Sequence, residues 1–212
     1  GLAFNRLLSN LFSIMILVTG FEPYTTSEGL HVTVNPTSRI ATNTASNSDS
    51  FVSAILPVSF KHAKNELVQL FETIKPKVWL GLGYAPHRAT LDFEVVAINV
   101  EHSLQGDNSS DRPCNRRIVE DAPLAYQSAI DINDALAPFS QLQVETRASF
   151  HAGTFVCNQS FFLGCHFLQT TSYLQSVAFM HIPPLDNYAP IEHALRDLAT
   201  YLIVQTPGLK SL

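Results

Sequence analysis

Basic residues are scarce: 13 of the 212 are Lys or Arg, scattered along the chain against 18 Asp and Glu, for a net charge of -5. A nucleic-acid-binding surface needs clustered positive charge, so nucleic acid is excluded as a partner. Cysteine is scarcer still. Cys114, Cys157 and Cys165 are odd in number and share no C-x-x-C spacing, which argues against a disulfide framework or a thiolate zinc site and points to a reducing, cytoplasmic compartment. His166 follows Cys165, but no second pair stands at ligand spacing, so neither a metal nor another cofactor is expected. No apolar run approaches the ~18 residues that a membrane span needs, and no membrane partner is expected. The opening "GLAFNRLLSNLFSI" is apolar but is broken by Asn5, Arg6, Ser9 and Asn10 and lacks a small-x-small cleavage site. Residues 1–14 therefore read as an N-terminal extension able to form a short amphipathic helix, rather than as a signal peptide.

Apolar residues, by contrast, are plentiful. At 46% of the chain, with a mean hydropathy of +0.10, they allow a large core, and no linker-like segment divides the sequence. One sizeable domain is expected. "IMILVTGF" (14–21), "FVSAILPV" (51–58), "KVWLGLG" (77–83), "FEVVAINVE" (93–101), "VETRASF" (144–150) and "SVAFMHIP" (176–183) read as strands, several apolar enough to be buried on both faces. Asn35-Pro36 has the chemistry of an N-cap and first helical position. Leu67, Leu70, Phe71 and Ile74 recur at helical spacing before Pro76; further helices are expected over about 122–137 and over 190–204. Strands alternating with helices predict an α/β fold: a single-domain sandwich with a mostly parallel twisted sheet covered by helices on both faces.

In such folds chemistry gathers at the carboxyl ends of strands. In "AGTFVCNQSFF" (152–162) the residues Thr154 to Val156 read as a strand end feeding a helix, with Cys157 at that helix's N-terminus. Unpaired N–H groups and the helix dipole there lower a thiol below its usual ~8.5. The alternative is an inert, buried thiol behaving as a small hydrophobe. His181 ends the apolar run "AFMHIPP", where two prolines stop the strand. Glu94 is a carboxylate inside an apolar strand and needs a partner. Arg88, six residues earlier, would make it a structural ion pair; His181 would make it part of a catalytic set.

These segments, taken together, resemble one family. "LVTGFEPY", "NPTS", "LGLGYAPHR", "FEVVAINVE", "AGTFVCN" and "FMHIPP" run in the order seen in type I pyroglutamyl peptidases, also called pyrrolidone-carboxylate peptidases, a cysteine peptidase family. Cys157 follows Glu94 by 63 residues and precedes His181 by 24, as in that family. The resemblance implies a catalytic set of Cys157 as nucleophile, His181 as base and then acid, and Glu94 as the group orienting the imidazole. It implies peptides with an N-terminal pyroglutamate as substrates, cleaved through a thioester. Phe21, Tyr24, Phe155 and Val156 would line the lactam pocket, with Val58 and Leu104 as further walls. A homo-oligomer, by family a tetramer, is implied too, with residues 15–212 as the peptidase-like domain. A related amidase of different acyl specificity, or a non-catalytic binding domain, are the alternatives.

Three places depart from the family pattern. Tyr24-Thr25-Thr26 stands where a Phe and two glycines are common, at the start of a longer loop to Asn35. Pro86-His87 replaces a Gly-Gly pair before Arg88. Ser103-Leu104 occupies the place of an arginine often found near the site. The pocket mouth is expected to differ accordingly.

Overall fold

The computed structural model describes residues 15–26 and 29–204. The extension 1–14 and the chain end after residue 204 lie outside the described residues. Strand β1 (Ile16–Phe21) is followed by a small hairpin, β2 (Tyr24–Thr25) with β3 (His31–Val32), then by helix α1 (Pro36–Ala45), β4 (Phe51–Leu56), α2 (Phe60–Ile74) and β5 (Val78–Tyr84). Next come β6 (Leu91–Glu94), β7 (Val96–Ile98), β8 (Ala125–Gln127), α3 (Ile132–Leu136), β9 (Thr146–Ser149), α4 (Val156–Thr170), β10 (Ser176–Ile182) and α5 (Ala189–Val204). The main sheet runs β4-β1-β5-β10-β6-β9. Its pairs are parallel except β10 with β6, so the α/β sheet covered on both faces is the fold observed.

Alternation along the strands builds two cores. Ile16, Val18, Val78, Leu80, Leu82, Ala178 and Met180 face one way and pack with Ile40 and Ala41 of α1 and Leu195 and Leu198 of α5. Leu17, Trp79, Val177 and Phe179 face the other way, against Leu67 and Phe71 of α2 and Phe161 and Phe162 of α4. Each fully buried Val, Leu, Ile, Phe or Met side chain among them contributes roughly 1.5–3 kcal/mol. The period of two has a functional consequence. His181 falls in phase with Val177 and Phe179, on the α4 side; Glu94 and Asp92 are out of phase with Leu91 and Phe93 and face that side too.

Three expected elements differ. The run 93–101 is not one strand. Val95 N–H bonds to the Ser149 carbonyl at 2.7 Å, after which the chain leaves the main sheet and pairs as β7 with β8. That pairing takes up Ala125–Gln127, within the region expected to be helical, and leaves only α3 and the 3-10 turn Ala137–Phe139 as helix. Thr154 to Val156 is not a strand end: Phe155 has extended dihedrals but no ladder partner and serves as the N-cap of α4.

Candidate active site

Cys157 is the second residue of α4, and the N-cap residue of that helix, Phe155, makes no side-chain cap bond. Beneath it runs β5, paired in register with β10 so that Gly83 lies beside His181. A Cβ on Gly83 would sit 2.9 Å from Cys157 Sγ and 2.9 Å from His181 Nε2, which bounds the separation of thiol and imidazole at twice that. A side chain at 83 would occupy the space where the two meet, so the second glycine of "LGLG" is required by close approach rather than by backbone conformation.

His181 is 6% exposed. Its Nδ1 lies 2.6 Å from Glu94 Oε1. With a carboxylate as partner, the neutral ring carries its proton on Nδ1 and donates it, leaving Nε2 as an acceptor on the Cys157 side. Because β6 is antiparallel to β10, Asp92 is directly opposite His181 and Glu94 reaches the ring diagonally. Arg88 Nη1 donates to the same Glu94 oxygen at 2.7 Å and to Asp92 Oδ2 at 2.6 Å. The two partners weighed for Glu94 are therefore both present. Glu94 is fully buried, and burial works against its charge; the bond and charge of His181, with help from Ser149 and Arg88, outweigh it and hold the carboxyl below its usual range. Its second oxygen has no hydrogen bond of good geometry, Ser149 being the register neighbour in β9.

The thiol does not behave as the helix position alone suggests. Burial, and then the negative charge of Glu94, push Cys157 up to about 12, with Arg88 opposing. The residue keeps some exposure, yet protein atoms crowd the sulfur, and burial works against an anion there. Cys165 is likewise pushed up to about 12 by burial and faces the core, while Cys114 is exposed.

A cavity of about 420 Å³ opens beside the start of α4, its wall including Tyr24, Thr26, His102, Leu104, Thr154 and Phe155, a size and mixed lining usual for small-molecule sites. Phe155 stacks edge-on against Phe60 with centroids 5.2 Å apart. Phe21, Val58 and Val156 are buried in the adjoining apolar cluster rather than at the cavity surface. Leu104 is 84% exposed at the rim.

Two polar clamps hold these walls. Asn35 caps α1 by accepting from Thr37 N–H at 3.1 Å and donates to the Glu22 carbonyl at 3.0 Å, while Thr37 Oγ1 accepts from Phe21 N–H; the "NPTS" motif thus fixes the Phe21–Tyr24 wall. Asn158, next to the thiol, donates to the carbonyls of Ile98 and Val100 and accepts from Ile98 N–H. Thr154 bonds to the His102 carbonyl at 2.8 Å, and Gln159 donates to buried Glu101. Sequence reasoning singled out neither Asn158, Asp92 nor Gly83. An asparagine directly after the cysteine and a second carboxylate two residues before Glu94 were the signals available. Among the described residues, no group of three or more His, Cys, Asp or Glu could hold a metal ion, and no helix is long and apolar enough to cross a membrane.

A covered, mostly parallel sheet, with a thiol at an uncapped helix start meeting a carboxylate-held imidazole, defines a class: the α/β cysteine hydrolases. Comparison with known proteins narrows it. The profile of the pyroglutamyl peptidase family matches residues 14–203, and the chain belongs to that family. It is similar to the pyrrolidone-carboxylate peptidase of Thermococcus litoralis, 32% identical over 171 residues that make up 79% of this chain and 76% of that one. The pyrrolidone-carboxylate peptidase of Pseudomonas fluorescens is 30% identical over 175 residues, 81% of this chain and 79% of its own. Among solved structures, the Thermococcus litoralis pyrrolidone carboxyl peptidase superposes with a TM-score of 0.78 at 28% identity, covering 89% of this chain and 92% of that one. A point mutant of the Pyrococcus furiosus pyrrolidone carboxyl peptidase gives 0.80 at 26% identity, covering 91% and 99%.

Proposed function

We propose that this chain is a cysteine exopeptidase that removes N-terminal pyroglutamate from peptides, with Cys157, His181 and Glu94 as its catalytic set. The observation that carries the reading is that Cys157 Sγ and His181 Nε2 both lie 2.9 Å from the place a Cβ on Gly83 would take, with Nδ1 held by Glu94 at 2.6 Å. Burial favours the neutral thiol, and His181 Nε2 takes its proton as sulfur attacks the carbonyl joining pyroglutamate to the next residue. Negative charge moves to the carbonyl oxygen, toward the N–H groups at the start of α4. The tetrahedral intermediate then collapses: the C–N bond breaks, the amine leaves with the proton from His181, and a thioester remains. Water, deprotonated by His181, releases pyroglutamate and restores the thiol.

Tyr24 and Phe155 offer the lactam apolar walls, with Phe21 and Val156 behind them. A free terminal amine would enter that surface as an unpaired charge. The substitutions at Tyr24–Thr26 and Pro86–His87 favour, as the second reading, an amidase with a different acyl preference, since Tyr24, Thr26 and His87 line the cavity. The family resemblance further supports a homo-oligomeric, tetrameric, cytoplasmic enzyme, with residues 1–14 as an extension to the peptidase domain; sedimentation and fractionation test those points. Hydrolysis of a pyroglutamyl fluorogenic amide, compared with its glutaminyl and prolyl analogues, tests the function. Selective release from the pyroglutamyl amide is expected. Equal cleavage of all three would replace it with the general amidase.

A further inference from the structure

Glu94 Oε1 receives two donors at once, the imidazole of His181 at 2.6 Å and the guanidinium of Arg88 at 2.7 Å. One of them can lose its charge; the other cannot. Arg88 is in turn fixed from three sides: Nη1 also donates to Asp92 Oδ2 at 2.6 Å, and Nη2 donates to the His151 carbonyl at 3.2 Å. Asp92 is fully buried and is itself held by Arg147 Nε at 2.8 Å and by the Thr90 hydroxyl at 2.6 Å. Two carboxylates one strand-turn apart, both facing the imidazole, are thus bridged by one permanent cation. Its side chain is only 26% exposed, so solvent screens its charge incompletely.

We propose that Arg88, anchored by Asp92, is a positioning residue that keeps Glu94 ionised and sets the pH range over which the Cys157–His181 pair works. Without a bridging cation, two buried carboxylates this close cannot both stay charged cheaply. Arg88 also draws on the same oxygen that holds the imidazole, and so moderates the pull of Glu94 on a second ring proton. Removing it adds net negative charge to the site. The site then takes up a proton at higher pH, and the active form is lost at higher pH whether the proton resides on His181 or on Glu94. Removing the charge of Asp92 does the reverse, since Arg88 then acts on Glu94 with nothing to offset it. The groups around His181 are Glu94 and Asp92 from β6, Arg88 from the turn before β6, Arg147 of β9 through Asp92, and Cys157 from α4; β5 brings Gly83 and, next to it, Tyr84. The thiol chemistry itself does not use Arg88, Asp92, Arg147 or Tyr84; of these, Arg88 is the one that donates to Glu94.

The inference rests on the peptidase reading for its rate measurements but not for its titration. The full chain and its Arg88→Met, Arg88→Lys and Asp92→Asn variants, checked for folding by circular dichroism, are followed in two ways. The first is the pH profile of kcat/KM on a pyroglutamyl amide; the second is the NMR titration of the His181 ring, which needs no turnover. Arg88→Met is expected to move the acid limb and the ring midpoint upward by about one pH unit, Asp92→Asn to move both downward, and Arg88→Lys to restore the wild-type position. If Arg88→Met does not fold, Arg88→Lys against Asp92→Asn carries the comparison. Unmoved midpoints, or shifts of the same sign in Arg88→Met and Asp92→Asn, would overturn the proposal. Opposite midpoint shifts in a protein that never cleaves the pyroglutamyl amide would uphold it and refute only the substrate.

Discussion

Two helices flank the cavity wall, and they begin differently. Helix α1 starts with a polar cap: Asn35 accepts from Thr37 N–H and donates to the Glu22 carbonyl, while the Thr37 hydroxyl accepts from Phe21 N–H. Helix α4 starts with Phe155, whose side chain can accept nothing and instead turns its ring to the cavity and to Phe60. At α1 the free N–H groups are spent on rigidity. At α4 they are left to the oxyanion of the proposed reaction, and the local stability a cap supplies, about 1 kcal/mol, is forgone. The same region that lacks a cap is tied by its own side chains to another stretch of chain, Asn158 to Ile98 and Val100 and Thr154 to His102. Fixation by a clamp leaves the helix end open; fixation by a cap closes it.

The largest expected effect on turnover comes from the open end's chemistry. Glu94→Gln keeps the volume but cannot hold the imidazole as an anion does, and kcat should fall on the order of 10²–10⁴-fold in a protein that melts as a folded domain. A Gln variant with near wild-type kcat would reduce Glu94 to the structural partner of Arg88.

The second expectation concerns the thiol. With Cys157 pushed up to about 12, its thiolate fraction grows tenfold per pH unit well below that value. In a Cys114→Ser background, which removes the exposed competitor, the rate at which iodoacetamide inactivates should climb steadily between about pH 7 and 10. A plateau at neutral pH would instead reveal a preformed thiolate–imidazolium pair. The same sign governs stability: burial of two neutral thiols stabilises the fold fully below the ordinary value of 9.0, and that contribution is lost as pH rises through about 12.

Third, Phe155→Ala should raise KM of the pyroglutamyl amide by roughly tenfold through lost ring contact, worth about 1–2 kcal/mol, with kcat reduced less. The smallest effect on turnover is expected at the capped end. Asn35→Ala should lower stability by about 1 kcal/mol, seen as a shifted denaturant midpoint, while kcat stays within twofold. A large kcat loss there would mean that the α1 cap, and not the α4 clamp, positions the reacting groups.

Much of this architecture was legible from residues alone. The apolar runs read as strands over 14–21, 77–83 and 176–183 are buried strands at Ile16–Phe21, Val78–Tyr84 and Ser176–Ile182, and Asn35-Pro36 marks a helix start because each residue fits one role there. Glu94, Cys157 and His181 stood out as polar residues ending or following such runs. Less legible was anything decided by partners distant in sequence. The run 93–101 splits because Ala125–Gln127 arrives to pair with its second half, and no local pattern announces that. Phe155 has strand-like dihedrals without a ladder. The acidity of Cys157 depends on how densely the sulfur is surrounded and on Glu94's charge, neither of which its place at a helix start reveals. Arg88 and His181 looked like alternatives for Glu94 and proved to share one oxygen.

The central claim, that Cys157 attacks a pyroglutamyl carbonyl with His181 as its base, is tested most directly by trapping the acyl-enzyme. Protein mixed in excess with an activated pyroglutamyl ester and acid-quenched within milliseconds should yield, on peptide mapping by mass spectrometry, a pyroglutamyl thioester on Cys157 in the wild type, and none there in His181→Ala. An acyl group found on Cys114 or Cys165, or turnover that persists in Cys157→Ala, would contradict it.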